Sequence, residues 1–365
     1  FLSADVFNLY VMLELLGLSA VGLTALSRNA AALNAAMRYL FVSLLGSIAY
    51  LLGVALLYHG YGTVDLDLLA ARIADGPVAT TAWTAMLAGL LLKTALFPFH
   101  FWLPPAHASA PAPVSALLSA LVIKGSFYLL LRIWLELFGG LSTLLAELLG
   151  LLGATAIIWG SLEALRQQRL KLLIAYSTVA QIGYLFLAFP LAAGGAEQAW
   201  RAAIYLALAH ALAKAAMFLS AGSLMRFARH DRISDLDGVV HRLPLTVTAF
   251  MLAGVSIMGL PPSGGFIGKW LLLEAAFLQG RWGLVVVILL GGVLAAAYIF
   301  KVVGSAFTPT KTAQAGDSVP ASMEWSALLL AFSAILLGFA GPLIWPLLDI
   351  GAPFAALAVP SGTDP

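Results

Sequence analysis

The stretch KTALFPFHFWLPPAH, residues 93–107, places a lysine and three prolines within a hydrophobic run. A second stretch, GLPPSGGFIGK, residues 259–269, again combines prolines with a lysine in apolar surroundings. Proline removes a backbone hydrogen bond from a helix, so each stretch is expected to break a helix. A break at membrane depth leaves backbone groups that need protein or water partners. Both stretches are therefore predicted to lie inside a helical bundle, around a cavity.

The composition indicates a membrane protein. Of the 365 residues, 62% are hydrophobic and 10% are charged, whereas soluble domains carry about 25% charged residues. The chain contains no cysteine, which excludes disulfides and thiolate ligation of iron–sulfur clusters. We predict an all-α polytopic membrane protein in contact with the lipid bilayer, with no bound cofactor, no metal ion and no nucleic-acid partner.

Hydrophobic runs of about 20 residues, the length that crosses a bilayer, occur ten times. They cover residues 6–26, 38–58, 83–103, 113–137, 143–162, 170–190, 200–224, 244–278, 283–304 and 324–346. The third and eighth runs contain the two proline-rich stretches. We therefore expect ten transmembrane spans, two of them broken. Because the first span begins almost at residue 1, we also expect that an N-terminal part is missing.

The positive charges predict the orientation. Of the 19 lysines and arginines, eleven fall in the loops after spans 1, 5, 7 and 9, and four fall on the other face. By the positive-inside rule these four loops are cytoplasmic, which places both termini outside. Lys171 is counted here among the cytoplasmic loop charges. The outer face has an acidic loop that contains Asp65, Asp67 and Asp75.

The two broken spans lie five spans apart. A unit of five helices that is repeated once must be inverted in the membrane, and many transporters have this plan, with ions handled near the breaks. We predict a first half at residues 1–138, incomplete at its N-terminus, and a second half at residues 139–305. Residues 306–365 are expected to form a linker, a final transmembrane helix and a short tail.

Six ionisable residues lie at membrane depth and are the candidate site. A charged side chain costs at least about 2.5 kcal/mol at the bilayer centre, so such residues indicate an ion or proton path. A glutamate beside a buried lysine keeps it protonated, and its withdrawal releases the proton to the next base. The six residues are Glu14, Lys93, Lys124, His210, Lys214 and Lys269.

Other polar residues leave more than one interpretation open. His100 and His107 either gate access to the path or hydrogen-bond the carbonyl groups freed by the first break. Tyr176, Ser177 and Gln181 are expected to pack and hydrogen-bond between helices. Tryptophans near the span ends are expected to anchor the membrane interface: Trp83, Trp134 and Trp200.

Five motifs, taken together, resemble the antiporter-like membrane subunits. This family is shared by NADH:quinone oxidoreductase (complex I), the Mrp-type Na+/H+ antiporters and the membrane-bound hydrogenases. The motifs cover residues 93–115, 170–184, 210–219, 233–238 and 259–269. Family members usually have fourteen helices, so this chain resembles the last ten. The Pro-Pro and Gly-Lys pairs of the fifth motif look most like the Mrp D-type proteins, or the N-type proteins of complex I.

The resemblance implies a role for each buried charge. Glu14 matches the family's buried glutamate, which pairs with the lysine of the first broken helix, here Lys93. Lys124 matches a lysine that relays protons toward the second half. The remaining matches are the central His/Lys positions and the ionisable residue of the second broken helix: His210, Lys214 and Lys269.

The implied function is proton translocation by one membrane subunit of a larger ion pump or cation/proton antiporter in a prokaryotic cell membrane. Its expected partners are other membrane subunits, and H+ or also Na+ is the transported ion. Membership of a complex I-like oxidoreductase or of a hydrogenase is the alternative. A stand-alone Na+/H+ transporter is a further alternative, which the scarcity of buried carboxylates disfavours.

Overall fold

The computed structural model describes residues 2–74, 76–138, 143–196, 198–309, 316–348 and 350. Throughout these ranges the regular structure is helical, and extended pairing is limited to two isolated bridges. Asp75 and Lys311, as well as the predicted C-terminal tail from residue 351, lie outside the described residues. The predicted all-α class is confirmed.

The helices of the described residues are, in order, α1 Val6–Thr24, α2 Ala30–Tyr61, α3 Leu66–Arg72, α4 Pro77–Thr94, α5 Leu103–Ser109, α6 Ala112–Leu117, α7 Ile123–Ile133, α8 Thr143–Arg166, α9 Leu170–Phe186, α10 Ala188–Ala193, α11 Gln198–Ala228, α12 Pro244–Met258, α13 Gly264–Leu278, α14 Trp282–Phe307, α15 Ala321–Leu336 and α16 Gly341–Leu348. A π-helical turn, Leu118–Val122, joins α6 to α7, and a second one, Trp134–Phe138, follows α7. A continuous helix therefore runs from Ala112 to Phe138.

Eight helices among the described residues are long and apolar enough to cross a membrane, and the bent pair of α4 with residues 99–109 makes a ninth. This pair bends by 40° at the first proline-rich stretch. The eighth predicted span is two helices of 15 residues, α12 and α13, on either side of the second stretch. Neither of these two is long enough to cross alone, as expected for a broken span.

The breaks begin where the backbone turns left-handed. Helix α4 ends at Ala95, whose φ of 58° cannot continue a right-handed helix. Helix α12 ends at Gly259 with a φ of 82°, a conformation that glycine adopts without steric cost. Helix α13 then starts from Ser263, whose hydroxyl accepts a hydrogen bond from the amide of Phe266 at 3.2 Å. Each break is thus encoded by local residues.

The two isolated bridges occupy matching places in the two halves. Asp5, just before α1, pairs with Asp65 after α2, whereas Arg169, just before α9, pairs with Arg232 after α11. Five predicted spans separate the two starting points, so the bridges lie on opposite faces of the bundle. An inverted repeat requires this arrangement, although the residue limits of the two halves stay a prediction.

Pairs of glycines bring helices close together at the crossings that matter for the site. A Cβ atom added at Gly89 of α4 would lie 2.3 Å from the carbonyl oxygen of Gly46 on α2. A Cβ atom at Gly183 of α9 would lie 2.4 Å from the carbonyl oxygen of Gly153 on α8. Such close backbone contact is typical of small residues between membrane helices. Helix α11 lies centrally and packs against α6, α9, α12, α13 and α15.

Two expectations were wrong. Lys171 is not a loop charge: its side chain is 1% exposed, donates to the carbonyl oxygen of Ala110 and lies 3.5 Å from that of Ala108. Its position at the first turn of α9 looks like a loop in sequence, but α5 covers it. The three tryptophans expected at the interface are buried, because their faces turn toward aromatic neighbours inside the bundle: Trp83, Trp134 and Trp200.

Candidate functional site

The first break places Lys93 in the last turn of α4, next to α1 and α2. Its Nζ lies 2.9 Å from the Ser43 hydroxyl and 3.4 Å from Oε2 of Glu14. The same oxygen of Glu14 accepts a hydrogen bond from the Ser47 hydroxyl. Lys93 is 6% exposed. The structure therefore brings the buried Lys93 and the partly buried Glu14 together as an ion pair, flanked by two hydroxyl groups of α2.

Two glycines and a small cavity lie beside this pair. A Cβ atom at Gly17 would lie 2.7 Å from Oγ of Ser43, and one at Gly46 would lie 3.2 Å from Cγ of Lys93. A cavity of about 10 Å³, lined by Ser43, Lys93 and Ser126 among others, adjoins the ammonium group. That volume holds about one water molecule. The lysine thus has polar partners and space at the point where the helix stops.

Lys124 follows the π-helical turn that joins α6 to α7. Its Nζ donates to the carbonyl oxygen of Ser119, which lies in that turn. The Ser119 hydroxyl in turn lies 3.1 Å from the Thr178 hydroxyl on α9. Single π-helical turns occur often at functional sites because they free a carbonyl group from the regular ladder. Lys124 is thereby connected to the second half of the chain.

Lys214 and His210 lie one turn apart on α11, at the centre of the bundle. Lys214 is fully buried; it donates to the Ile174 carbonyl oxygen at 3.1 Å and to the Ser177 hydroxyl. His210 is 4% exposed, and neither of its ring nitrogens has a hydrogen-bond partner within the described ranges.

Lys269 lies on α13 and turns back toward the end of α12. Its Nζ donates to the carbonyl oxygen of Ile257 at 2.7 Å, lies 3.4 Å from that of Met258, and is 4.3 Å from the ring centre of Tyr184. Within the described ranges Lys269 makes no ion pair. A Cβ atom at Gly259 would lie 2.6 Å from Cδ of Lys269, so the glycine also makes room for the lysine.

A small cavity separates His210 from the second break. His210, Gln181 and Ser256 line it, together with Ile257, whose carbonyl group holds Lys269. Its volume of about 10 Å³ again corresponds to one water molecule. Of the predicted residues, the structure thus brings Glu14 to Lys93 at the first break, and places His210 and the partner carbonyl group of Lys269 around one cavity at the second.

The two histidines of the first break differ. His107 is fully buried, stacks on Phe218 with 4.7 Å between ring centres, and has no hydrogen-bond partner on either nitrogen among the described residues. Of the two alternatives left open for His107, hydrogen bonding to a freed carbonyl group is therefore not the one that the described residues show. Instead Trp102 does so, through its ring nitrogen to the Leu92 oxygen at 3.0 Å. His100 stacks on Phe97 at 5.5 Å.

Sequence reasoning missed most of the hydroxyl groups that hold the buried bases. Ser43, Ser47, Ser119 and Thr178 were not singled out, and Ser177 was expected only to pack between helices. One signal was available: Ser43 and Ser47 are four residues apart, hence on one helix face, within an otherwise apolar run. Pairs of hydroxyl residues at helical spacing in a membrane span are the feature to look for.

The fold and the site together define a polytopic helical membrane protein in which each of two broken spans carries a buried lysine. The chain belongs to the NADH:quinone oxidoreductase/Mrp antiporter transmembrane family, whose profile matches residues 3–295. This confirms the resemblance drawn from the motifs. The chain is thus an antiporter-like membrane subunit.

Similar proteins include subunits of two kinds of complex. The N subunit of NADH-quinone oxidoreductase from Desulforudis audaxviator is 37% identical over 356 residues, which are 92% of this chain and 70% of that protein. The D subunit of the Na(+)/H(+) antiporter from Bacillus subtilis is 25% identical over 357 residues, 96% of this chain and 72% of that protein. A chain in the structure of the Mrp complex from Dietzia sp. DQ12-45-1b matches with a TM-score of 0.89 and 26% identity, covering 99% of this chain and 75% of its own.

Proposed function

We propose that this chain translocates protons as one subunit of a multisubunit complex in a prokaryotic cell membrane. The observation that carries the proposal is the Glu14–Lys93 pair at the first break, together with the burial of His210, Lys214 and Lys269 in the rest of the bundle. The loops after spans 1, 5, 7 and 9 face the cytoplasm in this proposal. Neighbouring membrane subunits complete the path at its ends.

Beyond Lys93, the path uses bases that make no ion pair within the described part of the chain. Lys93 exchanges its proton under the control of Glu14, and Lys124, His210 and Lys214 pass charge toward Lys269. Water in the small cavities completes the connections between side chains. Moving one charge against 100 mV requires about 2.3 kcal/mol. Bringing a carboxylate toward a buried lysine, or removing it, changes the lysine's affinity for a proton by a comparable energy.

The force that drives the transport has two candidates. The sequence favours exchange against a cation, as in the Mrp-type antiporters, whose D-type proteins this chain resembles. The higher identity to an N-type protein, 37% against 25% for a D-type protein, favours a redox-driven complex as the second candidate. In that case electron transfer belongs to a neighbouring protein of the complex. A stand-alone Na+/H+ transporter has less support, because a cation site usually needs carboxylate ligands. Of the two glutamates that could serve, Glu274 is exposed and Glu14 already binds Ser47 and Lys93.

Proton flux into vesicles that contain the whole complex tests the proposal. Lys93→Ala and Lys269→Ala are each expected to lower flux at least about tenfold, since each 1.4 kcal/mol on a barrier is tenfold in rate. Arg166→Ala removes an exposed cation outside the path and is the control. Assembly is checked by the size of the purified complex. Unchanged flux in both lysine variants would refute the path.

The same vesicles distinguish the two candidate driving forces. Flux that starts when a Na+ gradient is applied, without an electron donor, supports exchange. Flux that needs an electron donor and ignores the Na+ gradient supports the redox-driven complex.

A further inference from the structure

Helix α2 presents two buried hydroxyl groups to the ion pair of the first break. Ser43 and Ser47 are one turn apart and are 1% and 2% exposed. Ser43 accepts a hydrogen bond from Nζ of Lys93 at 2.9 Å, whereas Ser47 donates to Oε2 of Glu14. One helix face therefore supplies an acceptor to the cation and a donor to the anion.

The ion pair itself is loose. Nζ of Lys93 and Oε2 of Glu14 are 3.4 Å apart, whereas charge-assisted hydrogen bonds between such groups measure about 2.7–2.9 Å. Nζ of Lys93 is closer to the Ser43 hydroxyl, at 2.9 Å, than to the carboxylate, and that carboxylate also accepts a hydrogen bond from Ser47. Separating two charges in a low-dielectric interior is unfavourable unless each keeps a hydrogen-bond partner. Here both keep one.

We propose that Ser43 and Ser47 are positioning residues that hold Lys93 and Glu14 apart, so that the pair opens and closes during each transfer. This inference rests on the proposed function and adds how its first site is controlled. In the closed arrangement Lys93 contacts Glu14. In the open arrangement Lys93 binds Ser43 and Glu14 binds Ser47, and the lysine is then free to pass its proton to the next base.

The surroundings leave room for this movement. Gly17 of α1 has no side chain at the point where a Cβ atom would lie 2.7 Å from Oγ of Ser43 and 3.5 Å from Nζ of Lys93. The cavity beside the pair adds space. The titratable groups around it are Glu14 from α1, Tyr39 from α2 and Lys93 from α4. Helix α7 contributes Ser126 there.

The test is the pH dependence of proton flux in vesicles that contain the whole complex. Ser47→Ala leaves Glu14 with Lys93 as its partner, so the pair closes and the lysine keeps its proton to higher pH. Ser43→Ala removes the other hydroxyl group that holds the pair apart, so the pair closes in this variant as well. We expect the alkaline limb of the flux profile to shift upward by about one pH unit in each case.

Matched variants separate this role from general damage. Ser126→Ala removes a buried hydroxyl that lines the same cavity but bonds the Ile123 carbonyl oxygen of its own helix, and its profile should coincide with that of wild type. Ser47→Thr keeps a hydroxyl group and should restore the wild-type limb.

Coinciding profiles for both alanine variants, or a downward shift in either of them, would overturn the inference. Lys93→Ala in the same preparation distinguishes a failure of the positioning role from a failure of the proposed path. If it abolishes flux while the serine variants leave the profile unchanged, only the positioning role fails. If it leaves flux intact, the proposed path fails as well.

Discussion

Lys93 and Lys269 each lie beside a broken helix, but on opposite sides of the break. Lys93 precedes its break and uses the carboxylate of Glu14, whereas Lys269 follows its break and turns back to the last carbonyl groups of α12. The carboxyl end of a helix carries a partial negative charge of about one half. A carbonyl group cannot take up a proton, and its position is fixed by the helix. The comparison therefore assigns a switchable partner to Lys93 and a fixed partner to Lys269.

The matching bridges extend this comparison to whole helices. The step of 167 residues from Asp65 to Arg232 also leads from Ser43 to His210 and from Ser47 to Lys214. The step of 164 residues from Asp5 to Arg169 leads from Glu14 to Thr178. At these corresponding positions the first half has an acid and two hydroxyl residues, whereas the second half has one hydroxyl residue and two bases. Corresponding positions of the two halves therefore carry side chains of different chemical type.

The largest effect that sharpens this comparison is expected from Glu14→Gln. Glutamine keeps the shape of the side chain but removes the negative charge, and leaving one member of a buried pair uncompensated costs about 3–5 kcal/mol. We expect proton flux to fall at least about tenfold. Glu163→Gln is the matched control, because Glu163 pairs with the exposed Arg166. Flux within twofold of wild type would contradict the view of Glu14 as the counter-charge.

A smaller effect is expected at the second break, from Tyr184. The ring of Tyr184 stabilises the ammonium group of Lys269, and a desolvated contact of this kind contributes about 2 kcal/mol. Tyr184→Leu should therefore lower flux roughly tenfold. Tyr184→Phe keeps the ring and loses only the hydroxyl contact to the Ile288 oxygen, so we expect a loss below about threefold. Equal effects of the two variants would show that the ring face is not what holds Lys269.

The smallest effects concern the turns that end α4 and α12. Gly259→Ala places a Cβ atom in the left-handed conformation and 2.6 Å from Lys269, so we expect it to destabilise the protein by about 1–3 kcal/mol. Ala95→Gly frees a residue that already has a φ of 58°, and a change below about 1 kcal/mol is expected. Thermal unfolding of the purified complex measures both. A larger loss of stability for Ala95→Gly than for Gly259→Ala would contradict this view of the two turns.

The spans, the breaks and the buried lysines were predictable because their signals are local and costly. A lysine at membrane depth and a proline within an apolar run are both visible without knowledge of any neighbour. Hydroxyl partners were not predictable, since a serine in a membrane helix can satisfy itself on its own helix, as Ser126 does with Ile123. Whether Ser43 or Ser177 reaches across instead depends on the rotation of two helices. The depth of Lys171 likewise depends on α5, which packs over it.

The π-helical turn at Leu118–Val122 has a consequence for which changes in length the chain tolerates. A π-helical turn contains one residue more than an α-helical turn, and each residue rotates the following helix by about 100°. Deletion of Leu121, which is exposed, would restore a regular helix and swing Lys124 away from Ser119 toward another neighbour. Surface loops tolerate insertions and deletions. In this helix, by contrast, the direction in which Lys124 points depends on a single inserted residue.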